Sequence, residues 1–344
     1  MKMLTNKKQF AHDLCDWYRQ NQRDLPFRKT TDPYKIFLSE MMLQQTQVVT
    51  MLPYYDRFID TFPTIESLAQ AQESEVLKLW EGLGYYRRAR YIHETAKMIM
   101  SDFGGVFPSD YKDILSLKGV GKYTAGAVHS IAFNHPTPAV DGNVMRVMSR
   151  VLMLDQDITK TQTVKHVETV LSQTIIHDNP SDFTQGLMEV GALICIKTPH
   201  CDICPLRMHC LAAKHNVQTE YPIKKKLKAK TEEHYITFII KNKSHDVVLT
   251  KRPARGLLAN MLEFPQVKTT DLTQAIKTIE AAYDITIDNP MFHRSIKHVF
   301  THKIWHMDVY HVNTSNKLLP FYPMNDLTEA MSRAHLKIID SLKE

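Results

Sequence analysis

The sequence predicts an α+β chain in two domains, an all-α body over residues 1–220 and a mixed α/β domain over residues 233–344, with a basic linker at 221–232. Three observations carry that prediction. From residue 7 to about residue 213, apolar positions recur every three or four residues, and Phe62-Pro63, Gly104-Gly105 and His135-Pro136 punctuate the runs, as helices separated by turns require. Residues 224–230 read KKKLKAK, five lysines in seven positions after Pro222, a run too charged to bury and therefore a solvated spacer. Beyond it come the β-rich segments YITFII, DVVLTKR and VFTHKIWHMDVYHV, then a last helical stretch over residues 327–339.

A chain of 344 residues exceeds one ordinary hydrophobic core, which agrees with two domains. Hydrophobic residues at 43% and charged residues at 23% exclude disordered and fibrous classes. No apolar run approaches the ~18 residues of a membrane span, and the opening MKMLTNKKQF lacks the apolar stretch of a signal peptide. The expectation is a cytoplasmic protein without a membrane partner. A net charge of +6 suits a polyanionic partner but selects none by itself.

In the helical body, Cys195, Cys201, Cys204 and Cys210 fall within sixteen residues, while Cys15 stands alone and reads as core. Clustered thiols in a reducing compartment point to a metal rather than disulfides. Four thiolates suit either a structural zinc or a four-iron cluster. The gaps are five, two and five residues, and the first contains Lys197-Thr198-Pro199-His200, a loop rather than a zinc-ribbon hairpin.

Upstream, the segment 117–125 reads LKGVGKYTA, two glycines just before a helical run that reaches about Phe133. Gly119 and Gly121 permit a tight turn, the N–H groups opening the next helix can receive a phosphate oxygen, and Lys118 and Lys122 add charge. The segment 38–48, LSEMMLQQTQV, predicts a helix with Glu40, Leu43, Gln44 and Gln47 on one face and Phe37, Met41 and Val48 on another. In AVDGNVMRV, Asp141 reads as the N-cap of a following helix, whose N–H groups would keep its carboxylate ionised.

Together, the cysteine loop, the hairpin and SEMMLQQTQV resemble the MutY-type adenine DNA glycosylases of the helix-hairpin-helix, endonuclease III superfamily. The likeness to that superfamily's body covers about residues 5–215. It implies one [4Fe-4S] cluster on Cys195, Cys201, Cys204 and Cys210, although the family's first gap is usually six residues. It also implies that Glu40 protonates the departing adenine, while Asp141, in the VDGN motif with Asn143, stabilises the sugar as it becomes oxocarbenium-like. Tyr123 stands where the lyases carry a nucleophilic Lys, so water is the expected nucleophile and Lys122 a phosphate contact.

Further residues follow by the same likeness. Gln45 and Tyr85 match wedge residues that enter the base stack. Arg23, Leu25 and Phe27 match the adenine-pocket segment, where the family commonly has Trp in place of Phe27, and Gln185 falls at a pocket position. Residues 255–265, RGLLANMLEFP, resemble the opening of a Nudix-like C-terminal domain. The helix around 273–282 offers only Glu280 where a Nudix hydrolase needs paired glutamates, so recognition without hydrolysis is expected. Phe300-Thr301-His302 matches the Phe-Ser-His loop that reads 8-oxoguanine. The implied partner is double-stranded DNA with adenine opposite 8-oxoguanine or guanine, met by a monomer at the nucleoid. Two alternatives are a lyase-competent endonuclease III-like glycosylase and a non-catalytic iron-sulfur DNA-binding protein.

Overall fold

The structure is a computed structural model that describes residues 2–225, 229–313, 319–324 and 327–342, so Lys226, Leu227 and Lys228 of the expected linker lie outside the described residues. In chain order its α-helices are α1 (Lys7–Asn21), α2 (Pro33–Leu43), α3 (Val48–Thr61), α4 (Ile65–Gln70), α5 (Glu73–Leu79), α6 (Arg87–Asp102), α7 (Tyr111–Ser116), α8 (Lys122–Ile131), α9 (Gly142–Val151), α10 (Thr161–Ser172), α11 (Pro180–Glu189) and α12 (Leu211–Lys214). There follow β1 (Thr231–Lys241), β2 (Val247–Val248), β3 (Thr250–Lys251), β4 (Leu262–Glu263), β5 (Gln266–Val267), α13 (Leu272–Tyr283), β6 (Met291–Val299), β7 (Lys303–Asn313), β8 (Phe321–Tyr322) and α14 (Arg333–Ser341). Contacts divide the chain into two units, Met1–Gln70 with Tyr91–Lys226 and Ala71–Arg90 with Leu227–Glu344. Among the described residues, no helix is long and apolar enough to cross a membrane.

Among the described residues, the first unit is built of helices joined by turns and loops. In α1 the Asn6 side chain accepts from Gln9 N, and Phe10, Ala11, Leu14, Cys15 and Tyr18 form its buried stripe. Of that stripe, Phe10, Ala11, Leu14 and Cys15 join Val144, Val147, Val167, Phe183 and Leu187 in one core. Helix α2 starts at Pro33 with Asp32 accepting from Tyr34 N, and it is buried from Ile36 to Met42. The helix expected over 38–48 stops at Leu43: Gln45 takes φ of +58°, and α3 begins at Val48. Gln47 therefore does not continue the Glu40 face, because the chain turns out of the helix after Gln44, the C-cap of α2.

Between α7 and α8, Val120 N bonds Leu117 O at 3.1 Å and closes a tight turn. Gly119 has φ of +72°, and a Cβ there would lie 2.2 Å from Tyr91 Cδ2, so the turn needs glycine on both counts. Gly121 has ordinary extended dihedrals and serves as N-cap of α8.

In the second unit a mixed sheet runs in the order β6-β7-β1-β2-β8, with β5 pairing β1. The β1–β7 pair is parallel, and the other pairs in that sheet are antiparallel. Alternation along β1 builds two cores: Ile236, Phe238 and Ile240 pack with Ala275 and Ile279 of α13, while Ile239 packs with Trp305, Met307 and α14 residues Ala334 and Ile338. The β-rich segment from Val299 to Val312 holds the end of β6 at Val299, the turn at residues 300–302 and most of β7. The last helix begins at Arg333 after the Ser332 N-cap, not at residue 327. The segment Ala71–Arg90 takes its contacts here: Glu81 accepts from Met331 N at 2.7 Å, and Glu73 from Asn260 at 3.1 Å.

Candidate active site

Glu40 lies in the last turn of α2 with 5% of its surface exposed. The Tyr123 phenol, from the first turn of α8, donates to Glu40 Oε2 at 2.6 Å. Burial raises the Glu40 carboxyl above its ordinary range, against the Tyr123 hydrogen bond and the Arg28 charge, while the charge of Asp141 pushes it further up. Burial and Glu40 together hold the Tyr123 phenol well above its usual value. Both shifts run in the same direction, toward the protonated form of the carboxyl and of the phenol.

Asp141 caps α9, accepting from Val144 N at 2.7 Å and from Asn143 Nδ2 at 3.0 Å. The N-cap expectation holds, but the carboxyl is not kept low. Burial, the largest influence, raises it, and the hydrogen bonds from Val144 and Asn143 and the Arg146 charge only oppose that rise. Arg146 links this helix start to the cysteine loop, donating to Asn143 Oδ1 at 2.8 Å, Gly191 O at 2.6 Å and Cys195 O at 2.7 Å.

Around the same centre, Leu25 and Phe27 are each 6% exposed, and the Phe27 ring meets Tyr55 edge-on at 5.8 Å. Glu189, fully buried, accepts from Arg23 at 2.8 and 2.7 Å and from Arg28 at 2.5 Å. Arg28 also donates to Gln185 Oε1 at 2.7 Å, and Gln185 donates to Ser181 at 3.1 Å. Arg28 and Glu189 were not among the residues singled out from sequence. Glu189 sits one turn after Gln185 on α11, a spacing that could have flagged it.

A turn of π-helix, Val190–Ile194, leads into Cys195. Cys195, Cys201, Cys204 and Cys210 line one pocket with Arg150 and Leu206, and none forms a disulfide. Arg150 donates to Cys195 Sγ at 3.3 Å and to the carbonyls of Ile196 and Lys197. Burial pushes the Cys204 thiol up to about 12 and raises Cys201 and Cys210 as well. Four converging sulfurs with a guanidinium beside them fit an anionic thiolate-bound metal group.

On the surface, Gln45 is exposed at its positive φ, and Lys118 and Lys122 are exposed on the hairpin, Lys122 lying 3.7 Å from Glu168. In the second unit, Tyr85 also has positive φ, +50°, and is 45% exposed. Its phenol oxygen lies 2.7 Å from Thr301 Oγ1. Thr301 and His302 are exposed in the β6–β7 turn, whereas the Phe300 ring packs edge-on against Trp305 at 4.9 Å. Glu280 Oε1 accepts from Ile287 N at 2.8 Å, a structural role.

Two family models match. "HhH-GPD superfamily base excision DNA repair protein" covers residues 38–173, and "NUDIX domain" covers residues 236–341. An adenine DNA glycosylase of Buchnera aphidicola subsp. Schizaphis graminum is 35% identical over 89% of this chain and 88% of its own length. One of Arabidopsis thaliana is 38% identical over 74% of this chain, which spans 46% of that longer protein. The chain belongs to the adenine DNA glycosylase family. An endonuclease III from a non-covalent DNA complex shares the fold of the helical body, with a TM-score of 0.52 at 24% identity over 62% of this chain and all, 100%, of that one.

In this member of the adenine DNA glycosylase family, the first unit joins Arg23, Arg28 and Gln185 in one hydrogen-bonded group around Glu189, pairs Glu40 with Tyr123, and couples Glu40 to Asp141 electrostatically. Asn143 joins them through Asp141 and Arg146. Gln44 turns instead to Thr124, donating to its hydroxyl at 3.2 Å. Tyr85 and Thr301 meet within the second unit, a pairing that sequence spacing gives no means to foresee.

Proposed function

We propose that the chain hydrolyses the N-glycosidic bond of adenine opposite 8-oxoguanine or guanine in double-stranded DNA, as a monomer in the cytoplasm, working at the nucleoid. The observation that carries this reading is the hydrogen bond from half-buried Tyr123 to buried Glu40, whose carboxyl also feels the charge of Asp141. Tyr123 occupies one carboxyl oxygen, so the transferable proton resides on Oε1 and passes to the leaving base. As the C1′–N bond breaks, positive charge grows on the sugar, and Asp141 in its ionised form opposes it. Water then adds to C1′, and the proton it releases restores Glu40. Tyr123 is a phenol held protonated by burial and offers no amine for a Schiff base, which favours hydrolysis over the lyase reading.

Arg23, Leu25, Phe27, Arg28 and Gln185 would line the adenine pocket, with Glu189 fixing both guanidiniums. Cys195, Cys201, Cys204 and Cys210 would hold one [4Fe-4S] cluster, which when bound supplies a rigid, covalently tethered centre. Through Cys195 O and Gly191 O that rigidity passes to Arg146, and from there to Asn143 and Asp141. Gly119, Gly121, Lys118 and Lys122 would hold backbone phosphate, Gln45 and Tyr85 would wedge the stack, and Thr301 with His302 would read the opposing base from the turn anchored by Phe300.

Purified protein on duplexes with adenine opposite 8-oxoguanine, guanine or thymine tests the reading. Strand breaks should arise only after alkali, first opposite 8-oxoguanine, then guanine, and not opposite thymine. Borohydride-trapped protein–DNA adducts would favour the lyase alternative, and intact adenine with retained binding the non-catalytic one.

A further inference from the structure

We infer that Glu232, His234 and His306 form a site for one divalent transition-metal ion of the zinc class, on the sheet of the second unit. Strands β1 and β7 run parallel with His234 and His306 in direct register, so both imidazoles leave the same face of the sheet. The rings stack with centroids 4.8 Å apart and planes 13° from parallel. Glu232, two residues before His234, shares that face by the period of the strand, and its Oε2 lies 3.2 Å from His306 Nε2. One ligand atom from each of the three lies within 4.8 Å of the others.

Two imidazole nitrogens and a carboxylate oxygen are the donor set that zinc-class ions favour, with remaining positions left to water. The supports are rigid while the donors are free to turn. The strand backbone fixes the three Cα positions, Glu232 and His234 are exposed, and His306 is half-buried, so small χ rotations suffice to close the donors on an ion. Farther along the same face, Ile236 and Phe238 are covered by α13, so the cluster stands where apolar cover ends. A plain Glu232–His306 ion pair uses two of the three groups and leaves His234 stacked on the same imidazole; a shared cation uses all three. Lys297, opposite His306 across β6–β7, is the cation in register that such an ion must compete with, while Asp308, two residues beyond His306, adds negative charge on that face.

An ion there would tie the first residues of β1 and β7 together beside the Phe300–His302 turn, where Thr231 N already donates to His302 O at 3.0 Å. The test is a zinc titration of the full chain followed in long-range 1H–15N spectra of the histidine rings, which report nitrogen ligation and are blind to zinc on thiolates. The His234 and His306 ring nitrogens should shift together and saturate at one equivalent, with slowed exchange of the Thr231 amide. His234→Asn and His306→Asn should each weaken uptake by at least ~10-fold, the lower end of what losing even an outer partner of a metal ligand costs. The inference is overturned if those rings stay unmoved through several equivalents of zinc, or if the His234→Asn/His306→Asn double variant takes up zinc as the parent does.

Discussion

The Tyr123 hydroxyl reaches Glu40 Oε2 across 2.6 Å, joining the first turn of α8 to the last turn of α2 in a setting where the carboxyl is 5% exposed. That hydrogen bond favours the charged form of Glu40 and so restrains the upward shift that burial causes. Tyr123→Phe removes the restraint. The Glu40 carboxyl then rises further and keeps its proton to higher pH, so the alkaline limb of the excision rate should move up. The rate on the plateau should fall by no more than about 10-fold, since a neutral hydrogen bond is worth ~1 kcal/mol. A pH profile of single-turnover rates measures both, and an alkaline limb that moves down contradicts the assignment.

Asp141 caps α9 and, in the proposed mechanism, also stabilises the charged sugar, and two substitutions separate the roles. Asn is an equally good N-cap, so Asp141→Asn should change stability by less than about 1 kcal/mol while lowering excision at least ~100-fold through loss of the charge. Asp141→Ala should lose the rate and, in addition, roughly 0.5–2 kcal/mol of stability. Denaturant midpoints alongside single-turnover rates tell the two apart.

Glu189 is fully buried and pairs with Arg28, whose side chain is 7% exposed, and with Arg23, whose side chain is 31% exposed and reaches water. Glu189→Gln keeps the volume and leaves the Arg28 guanidinium without its buried charge partner, so unfolding free energy should drop by ~3–5 kcal/mol, the cost of breaking a buried pair. The drop is read from urea unfolding, and a loss below 1 kcal/mol would show that water reaches the cluster.

Legibility differed from residue to residue. Glu40, Tyr123, Asp141 and the four cysteines stand out as candidates in the sequence because what marks them is local: motif, spacing and, for Asp141, an N-cap that the structure shows. The end of α2 was not, since no Pro or Gly marks it and the break depends on Gln45 taking a positive φ. Strand β6 escaped notice because most of its residues are exposed or half-buried, so hydrophobic alternation is missing. Arg28 and Glu189 are 161 positions apart, and nothing in either neighbourhood announces that the other neutralises it. The association of Ala71–Arg90 with the second unit is likewise a property of partners that a helical period does not name.

The central claim is that Glu40, protonated in its buried setting, delivers the proton that lets adenine leave. Single-turnover excision from a duplex with adenine opposite 8-oxoguanine, comparing the parent chain with Glu40→Gln at equal iron content and fixed salt, tests it most directly. Gln fills the same volume and cannot donate a carboxyl proton, so the rate should fall at least ~100-fold with DNA affinity retained. A Glu40→Gln rate near that of the parent would contradict the account.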